Sequence, residues 1–375
     1  MGEMTLRGKV TCRLGPGVHM LLLDRQVGPC EFVVRSIAAD GEFRTVLQVG
    51  DGGSTGAALI APSSFGYLAS GDIVRVDSRE QRMAVMYRRN SRHNTLFVTE
   101  RCNSRCLMCS QPPRDVDDRY LVDELISILP WMSRDTPELG VTGGEPTLLD
   151  QRFIDLVRAT EVSLPATSLH VLTNGRRLAY LRYAERLAET RHHDVMLGIP
   201  LYADTASAHD HVVQARGAFD ETLRGIMNLG RVGLPVEIRV VIHGQTLPRL
   251  PALARYIARN LPFAAQVSLM GLELMGFART NFKDLWVDPV DYQDELETAV
   301  SILADAGLRV TIFNHQLCVL RPSLHRFAAR AISDWKNMYV PECSSCCLRD
   351  QCGGFFSSSL HRHSSKIKAF VHSAS

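Results

Sequence analysis

Three cysteines packed into one short run, Cys102, Cys106 and Cys109, constrain this chain more than any other feature. Their spacing is C-x3-C-x2-C. Thiolates this close can hold three corners of a cubic iron–sulfur cluster, because Cys is the ligand such clusters take. The next cysteine in the sequence is Cys318, so no fourth thiol lies nearby and one iron is left open for another ligand. Zinc is the alternative for any cysteine group. Structural zinc, however, usually comes with two C-x2-type pairs, and here a lone triplet follows a strand-like segment.

The chain has 375 residues, enough for two or three units. At 45% hydrophobic and 22% charged residues it has the composition of an ordinary soluble globular protein. A formal net charge of +2 favours neither a nucleic-acid nor a membrane partner, and neither is expected. The first ten residues contain no apolar h-region, so a secretory signal is not expected. The apolar run at 20–23 is far too short to span a bilayer. The expected location is the cytoplasm. Ten cysteines in such a chain point to metal or redox use and not to a disulfide framework. Their clustering agrees, with three at 102–109 and four at 343–352. Cys12 and Cys30 stand apart and read as small buried hydrophobes.

Residues 1–92 read as a β-rich domain, a small sheet or barrel. Alternating segments at 31–34 and 45–49 are separated by Gly-rich breaks such as Gly50-Asp51-Gly52-Gly53, and 71–76 with 83–87 reads as a hairpin. The basic stretch 88–92 marks the junction. From residue 93 to about 310 the pattern changes to strands alternating with helices. Strands are expected at 96–99, 139–142, 169–172, 195–201, 236–242 and 267–270, with amphipathic stretches at 120–131, 151–160, 178–189, 219–229, 250–259 and 291–306. Six β–α units in series give a parallel sheet that curls into a barrel or part of one. Ligands of such sheets sit at the carboxyl ends of the strands. The triad falls in the loop after the first strand, at that end. Residues 311–360 hold the remaining cysteines, and the Ser/His/Lys-rich tail 361–375 is expected to be flexible.

Thr142-Gly143-Gly144-Glu145-Pro146 follows the second strand. Paired glycines let a backbone approach closely, and a carboxylate accepts from an ammonium. Taken alone the segment is only a strand-to-helix turn, but it lies at the same sheet end as the triad. Thr173-Asn174-Gly175 follows the third strand, where a plain Asn-Gly turn is the alternative. Tyr202 and His243 end strands four and five and carry no assigned role. His209-Asp210-His211 invites a metal reading, but with no third ligand evident it reads as structure before the next helix. A last group, Cys343-Ser344-Ser345-Cys346-Cys347-Leu348-Arg349-Asp350-Gln351-Cys352, has the core spacing C-x2-C-x5-C, with a zinc knuckle as the alternative.

C-x3-C-x2-C after the first strand, joined to Gly-Gly-Glu-Pro after the second, resembles the radical S-adenosylmethionine (SAM) superfamily over roughly residues 95–285. The resemblance implies an α/β fold, a partial (β/α)6 TIM-type barrel between the β-rich domain and a small cysteine-rich extension. It implies that Cys102, Cys106 and Cys109 ligate a 4Fe–4S cluster with an open iron, and that Gly143, Gly144 and Glu145 bind the methionyl amino group of SAM. Thr173 or Asn174 would add polar contacts. Met108 stands where many members carry an aromatic residue near the adenine, and a thioether can pack on a ring. The late group resembles the auxiliary-cluster segment of SPASM and twitch extensions. Cys318, Cys343, Cys346 and Cys352 would hold a second, closed 4Fe–4S cluster, with Cys347 as an alternative to Cys346.

Further segments narrow the likeness. Tyr87-Arg88-Arg89, the run from His93 to Asn103, Ser110-Gln111-Pro112-Pro113, Ser333-Asp334-Trp335-Lys336-Asn337 and Cys352-Gly353-Gly354-Phe355-Phe356 resemble the C-type radical SAM maturase of the His-Xaa-Ser peptide-modification system. That resemblance implies reductive cleavage of SAM to a 5′-deoxyadenosyl radical, which abstracts hydrogen from a ribosomally made precursor peptide with His-Xaa-Ser repeats. Its partners would be a companion maturase, a small accessory protein and a flavodoxin- or ferredoxin-type electron donor. The competing classes are a radical SAM enzyme acting on a small molecule or RNA, and a non-catalytic iron–sulfur or zinc scaffold. A basic, aromatic-interleaved stretch, which RNA binding favours, is lacking.

Overall fold

The structure is a computed structural model, and it describes residues 7–28, 30–37, 44–50, 57–330, 338–360 and 362–371. The segment from Ser333 to Asn337 and most of the Gly50–Gly53 break lie outside these residues.

The β-rich domain contains β1 (Arg7–Lys9), β2 (Thr11–Cys12), β3 (Val18–Gly28), β4 (Glu31–Ser36), β5 (Arg44–Val49), β6 (Leu59–Ala61), β7 (Ile73–Asp77) and β8 (Arg82–Tyr87). Their order in the sheet is β1-β8-β7-β3-β4-β5-β6-β2. The two end strands are separated in the chain only by Val10, so one extended segment pairs with β8 on one side and β6 on the other. The sheet thereby closes on itself into a barrel, which removes its unpaired edges. Its inside is filled by Leu21, Leu23, Phe32, Val34, Leu47, Leu59, Phe65, Val74, Val76 and Met83. Cys12 is buried as expected, whereas Cys30 is exposed. It sits at the short turn between β3 and β4, where a side chain has no barrel interior to enter.

The second sheet is parallel and runs in sequence order: β9 (Asn94–Phe97), β10 (Glu138–Thr142), β11 (Ser168–Leu172), β12 (Val195–Pro200), β13 (Val236–Ile242), β14 (Gln266–Gly271) and β15 (Val310–Phe313). The six expected β–α units are present. Val310–Phe313 adds a seventh parallel strand beside β14. Helices α1 (Tyr120–Ile128), α2 (Gln151–Ser163), α3 (Leu181–Ala188), α4 (Ala206–Val213), α5 (Ala218–Arg231), α6 (Leu250–Asn260), α7 (Phe277–Thr280), α8 (Phe282–Leu285) and α9 (Gln293–Asp305) lie between the strands. The period-2 alternation of each strand splits the sheet into two faces. Leu96, Leu139, Val141, Leu169, Val171, Leu197, Ile199, Ile238, Val240, Val267 and Leu269 form a buried apolar face with the helices. The alternate residues include His170, Glu237, Arg239 and Ser268, so the other face is polar.

The two domains share a core. Leu22, Ile37, Ile73 and Tyr87 belong to the same buried cluster as the helices of the parallel sheet. The Tyr87 hydroxyl bonds Thr136 at 2.8 Å, Arg75 pairs with Glu124 at 2.9 Å, and Arg35 stacks over Trp131. Among the described residues after β15 the chain runs through short 3-10 segments at Leu317–Val319, Pro322–Phe327, Pro341–Cys343, Arg349–Gln351 and Ser357–Ser359. Among the described residues no helix is long and apolar enough to cross a membrane.

Candidate metal centres

The loop between β9 and α1 carries Cys102, Cys106 and Cys109 and is tied down from several β–α units. Gly144 N–H donates to the Thr99 carbonyl at 2.7 Å and Glu145 N–H to that of Arg101 at 2.8 Å. The N–H groups of Arg105 and Leu107 donate to the carbonyls of Val213 and Val212 at the end of α4. Phe277 N–H reaches the Cys109 carbonyl, and the Asn281 amide donates to that of Leu107. Asp118 accepts from the Thr99 hydroxyl at 3.0 Å and from Glu100 N–H at 2.5 Å. Arg176, which the sequence reading passed over, pairs with Glu221 at 2.6 Å and also donates to the Asn103 carbonyl and to Ser104. Its only sequence signal was its place just after Thr173-Asn174-Gly175.

The glycines are required by the loop itself. A Cβ on Gly143 would lie 2.5 Å from the Thr99 carbonyl oxygen, and one on Gly144 would lie 2.2 Å from that of Arg101. Both are far inside contact distance, so only glycine lets β10 deliver its turn against the triad loop. The Glu145 carboxylate is fully buried. One oxygen accepts from Thr147 N–H (3.0 Å), the Thr147 hydroxyl (2.6 Å) and the Thr173 hydroxyl (2.6 Å), and the other from Asn174 N–H (2.6 Å). Burial pushes this carboxyl up, and the donors from Thr147, Thr173 and Asn174 pull against it. The Asn174 side chain donates to Asn103 at 2.6 Å, and its amide nitrogen stands 4.0 Å from the Cys102 sulfur. Gly143, Gly144, Glu145, Thr173 and Asn174 therefore form one continuous brace that reaches the first triad thiol.

Met108 is buried with Tyr202, Val212, Val213, Ala218, Ala278 and Leu285 in an apolar cluster, which Cys106 joins. The Tyr202 ring lies 5.9 Å from that of His209 and 6.4 Å from that of His243. His209 and His243 are both held low, at about 4, chiefly by burial. Asp210 accepts from Gly217 N–H (2.5 Å) and Phe219 N–H (2.8 Å), so it caps α5. The His209-Asp210-His211 segment is structure, as its sequence suggested.

Burial lifts the Cys106 thiol to about 12, with Cys109 and Cys102 pushing it further in the same direction. Burial likewise lifts Cys102 to about 11, with Glu145 and Cys109 adding to it. Three soft donors on a single braced loop fit iron with an open corner. A second thiol set is gathered from separate segments. Cys318 is pushed up by burial, pulled down by a backbone N–H from Lys368, and pushed up again by Cys352 and Cys346. Cys343 is raised by burial and then by Cys318, Cys352 and Cys346. Cys318, Cys343, Cys346 and Cys352 are each half-buried, whereas Cys347 is exposed. Four thiols fit a closed site. Within the described residues 362–371, Ser364 is buried and Phe370 bonds Cys346 and Cys347.

The fold and site together define a parallel α/β barrel sheet with a three-thiol centre at the carboxyl ends of its strands. Residues 96–257 match the Radical SAM superfamily, and the chain carries a radical SAM domain. Segments of curated proteins align with part of this chain. Fe-coproporphyrin III synthase of Methanosarcina barkeri is 27% identical over 165 residues, covering 42% of this chain and 38% of that protein. GTP 3′,8-cyclase of Listeria monocytogenes is 28% identical over 209 residues, covering 52% of this chain and 58% of that protein. The chain therefore spans less than two thirds of the length of these relatives. In fold it is similar to Streptococcus suis SuiB bound to S-adenosylmethionine, with a TM-score of 0.50, 15% identity, and coverage of 68% of this chain and 56% of that one.

Proposed function

We propose that this chain is a radical SAM enzyme that abstracts hydrogen from a ribosomally made precursor peptide with His-Xaa-Ser repeats. The observation that carries the enzyme assignment is the convergence of three thiols at the strand ends, bonded through Thr99 and Arg101 to the Gly143-Gly144-Glu145 turn. Cys102, Cys106 and Cys109 would hold a 4Fe–4S cluster and leave one corner to SAM. Gly143, Gly144 and Glu145 would receive its methionyl amino group, Thr173 and Asn174 would add polar contacts, and Met108 would lie by the adenine. When bound, the cluster and SAM supply the radical chemistry, while the protein positions the reactants and excludes water. Cys318, Cys343, Cys346 and Cys352 would hold the second 4Fe–4S cluster, closed and suited to electron relay or structure. A flavodoxin- or ferredoxin-type donor, a companion maturase and a small accessory protein complete the proposed cytoplasmic system.

The peptide substrate is supported by the likeness of 87–89, 93–103, 110–113, 333–337 and 352–356 to the His-Xaa-Ser maturase. A second reading, a small-molecule substrate, is favoured by the aligned relatives, which are named for making a cyclised GTP product and a porphyrin. Mass spectrometry of a His-Xaa-Ser peptide, co-expressed with the companion maturase and with or without this chain, separates them. A mass change that depends on this chain supports the peptide. An unchanged mass from protein that does release 5′-deoxyadenosine gives the small-molecule reading.

A further inference from the structure

The end of the chain runs back over the late cysteines and donates to one of their sulfurs. The Phe370 N–H points at the Cys346 sulfur, 3.4 Å away. The Phe370 carbonyl accepts in return from Cys347 N–H at 2.8 Å. The strap is anchored by its side chains as well. The Phe370 ring packs edge-on against His325 with centroids 6.0 Å apart. His325 in turn lies 3.0 and 3.2 Å from the carbonyls of Leu317 and Leu320, which flank Cys318. Further back, His363 packs edge-on against Phe355 at 5.1 Å.

One residue, Phe370, therefore bonds the Cys346 sulfur and packs on the histidine that holds the turn carrying Cys318. Hydrogen bonds to cluster sulfurs favour the state with more negative charge, and they are among the levers that set an iron–sulfur potential. We propose that residues 368–370 are a positioning strap that donates the Phe370 N–H to Cys346, rests its ring against the turn that carries Cys318, and makes the cluster these cysteines ligate easier to reduce. This rests on the second cluster proposed above. The contribution comes from the backbone, so it is independent of side-chain identity except where a proline removes a donor.

The test uses the full chain carrying Cys106→Ala, reconstituted anaerobically so that iron is held only by the late cysteines. Phe370→Pro removes the donor to Cys346, Phe370→Ala keeps the donor and removes the ring, and a chain ending at Ser365 removes the whole strap. The readout is the midpoint potential from a titration followed by electron paramagnetic resonance. The expected result is a shift to more negative potential in Phe370→Pro and in the shortened chain, with Phe370→Ala at the parent value. An unchanged potential in both donor-less variants overturns the strap, as does a shift in Phe370→Ala as large as that in Phe370→Pro. A Cys106→Ala parent that retains no iron removes the second cluster itself, an outcome read before any strap variant is made.

Discussion

Cys102, Cys106 and Cys109 lie on one loop above a parallel sheet, whereas Cys318, Cys343, Cys346 and Cys352 are collected from two segments that share no sheet or long helix. The early loop is held by bonds from the turns after β10 and β11, from α4, and from the α7–α8 segment. The late set is held by single 3-10 turns and by a strap from the end of the chain. Rigid elements position ligands more closely than loops do. On the proposed reading the early site would leave one coordination position open without collapsing, while the late site would close with four thiols.

The largest effect expected is functional. Cys106→Ala should abolish SAM cleavage and remove one cluster, about four irons of roughly eight per chain. Iron retained at the full complement would show that the early thiols are not ligands. Cys343→Ser should also remove about four irons, and Cys347→Ser none, because only Cys343 faces the other late thiols. Equal losses from both would place Cys347 in the site. Gly144→Ala should reduce iron in the early site but not the late one, since its Cβ would displace the Arg101 carbonyl. Loss from both sites would mean that the two do not assemble independently.

Smaller effects test the brace. Glu145→Gln faces an amide nitrogen toward groups that donate. It should cost about 1–3 kcal/mol in anaerobic urea unfolding, the penalty for an unsatisfied buried donor or acceptor, and a difference within error would show that the carboxylate is not the brace. Below the early site, Glu237 is pushed up by burial, but the His170 hydrogen bond and the Arg239 charge outweigh this and hold it at about 2. A depressed carboxyl contributes its full stability above its ordinary value of 4.5 and loses it as pH falls toward 2. Wild-type protein should therefore lose urea resistance more steeply than Glu237→Gln across that window. Parallel curves would remove Glu237 from the account.

Much of the parallel sheet could be read in advance, because its strands and amphipathic helices keep their periods over whole elements. β15 escaped because it is four residues long and no β–α unit follows it. The closed N-terminal barrel was legible only as β-rich, since its closure depends on β1 and β2, three and two residues long, pairing at opposite edges. At the site the cysteines announced themselves by spacing. The purpose of the neighbouring residues did not, because it depends on contacts distant in sequence. Gly143 and Gly144 accommodate the backbone of residues 99–101, and Glu145 is engaged by Thr173 and Asn174 from the next β–α unit. The strap was hidden for the same reason, as a Ser/His/Lys-rich tail shows its composition but not the sulfurs beneath it.

The central claim is that the early thiols form a SAM-cleaving centre. Anaerobically reconstituted, reduced protein should be incubated with SAM and assayed for 5′-deoxyadenosine beside Cys106→Ala. Release by the wild-type chain and none by the variant is the predicted result. No release from wild-type protein that holds its iron, or equal release from the variant, would contradict it.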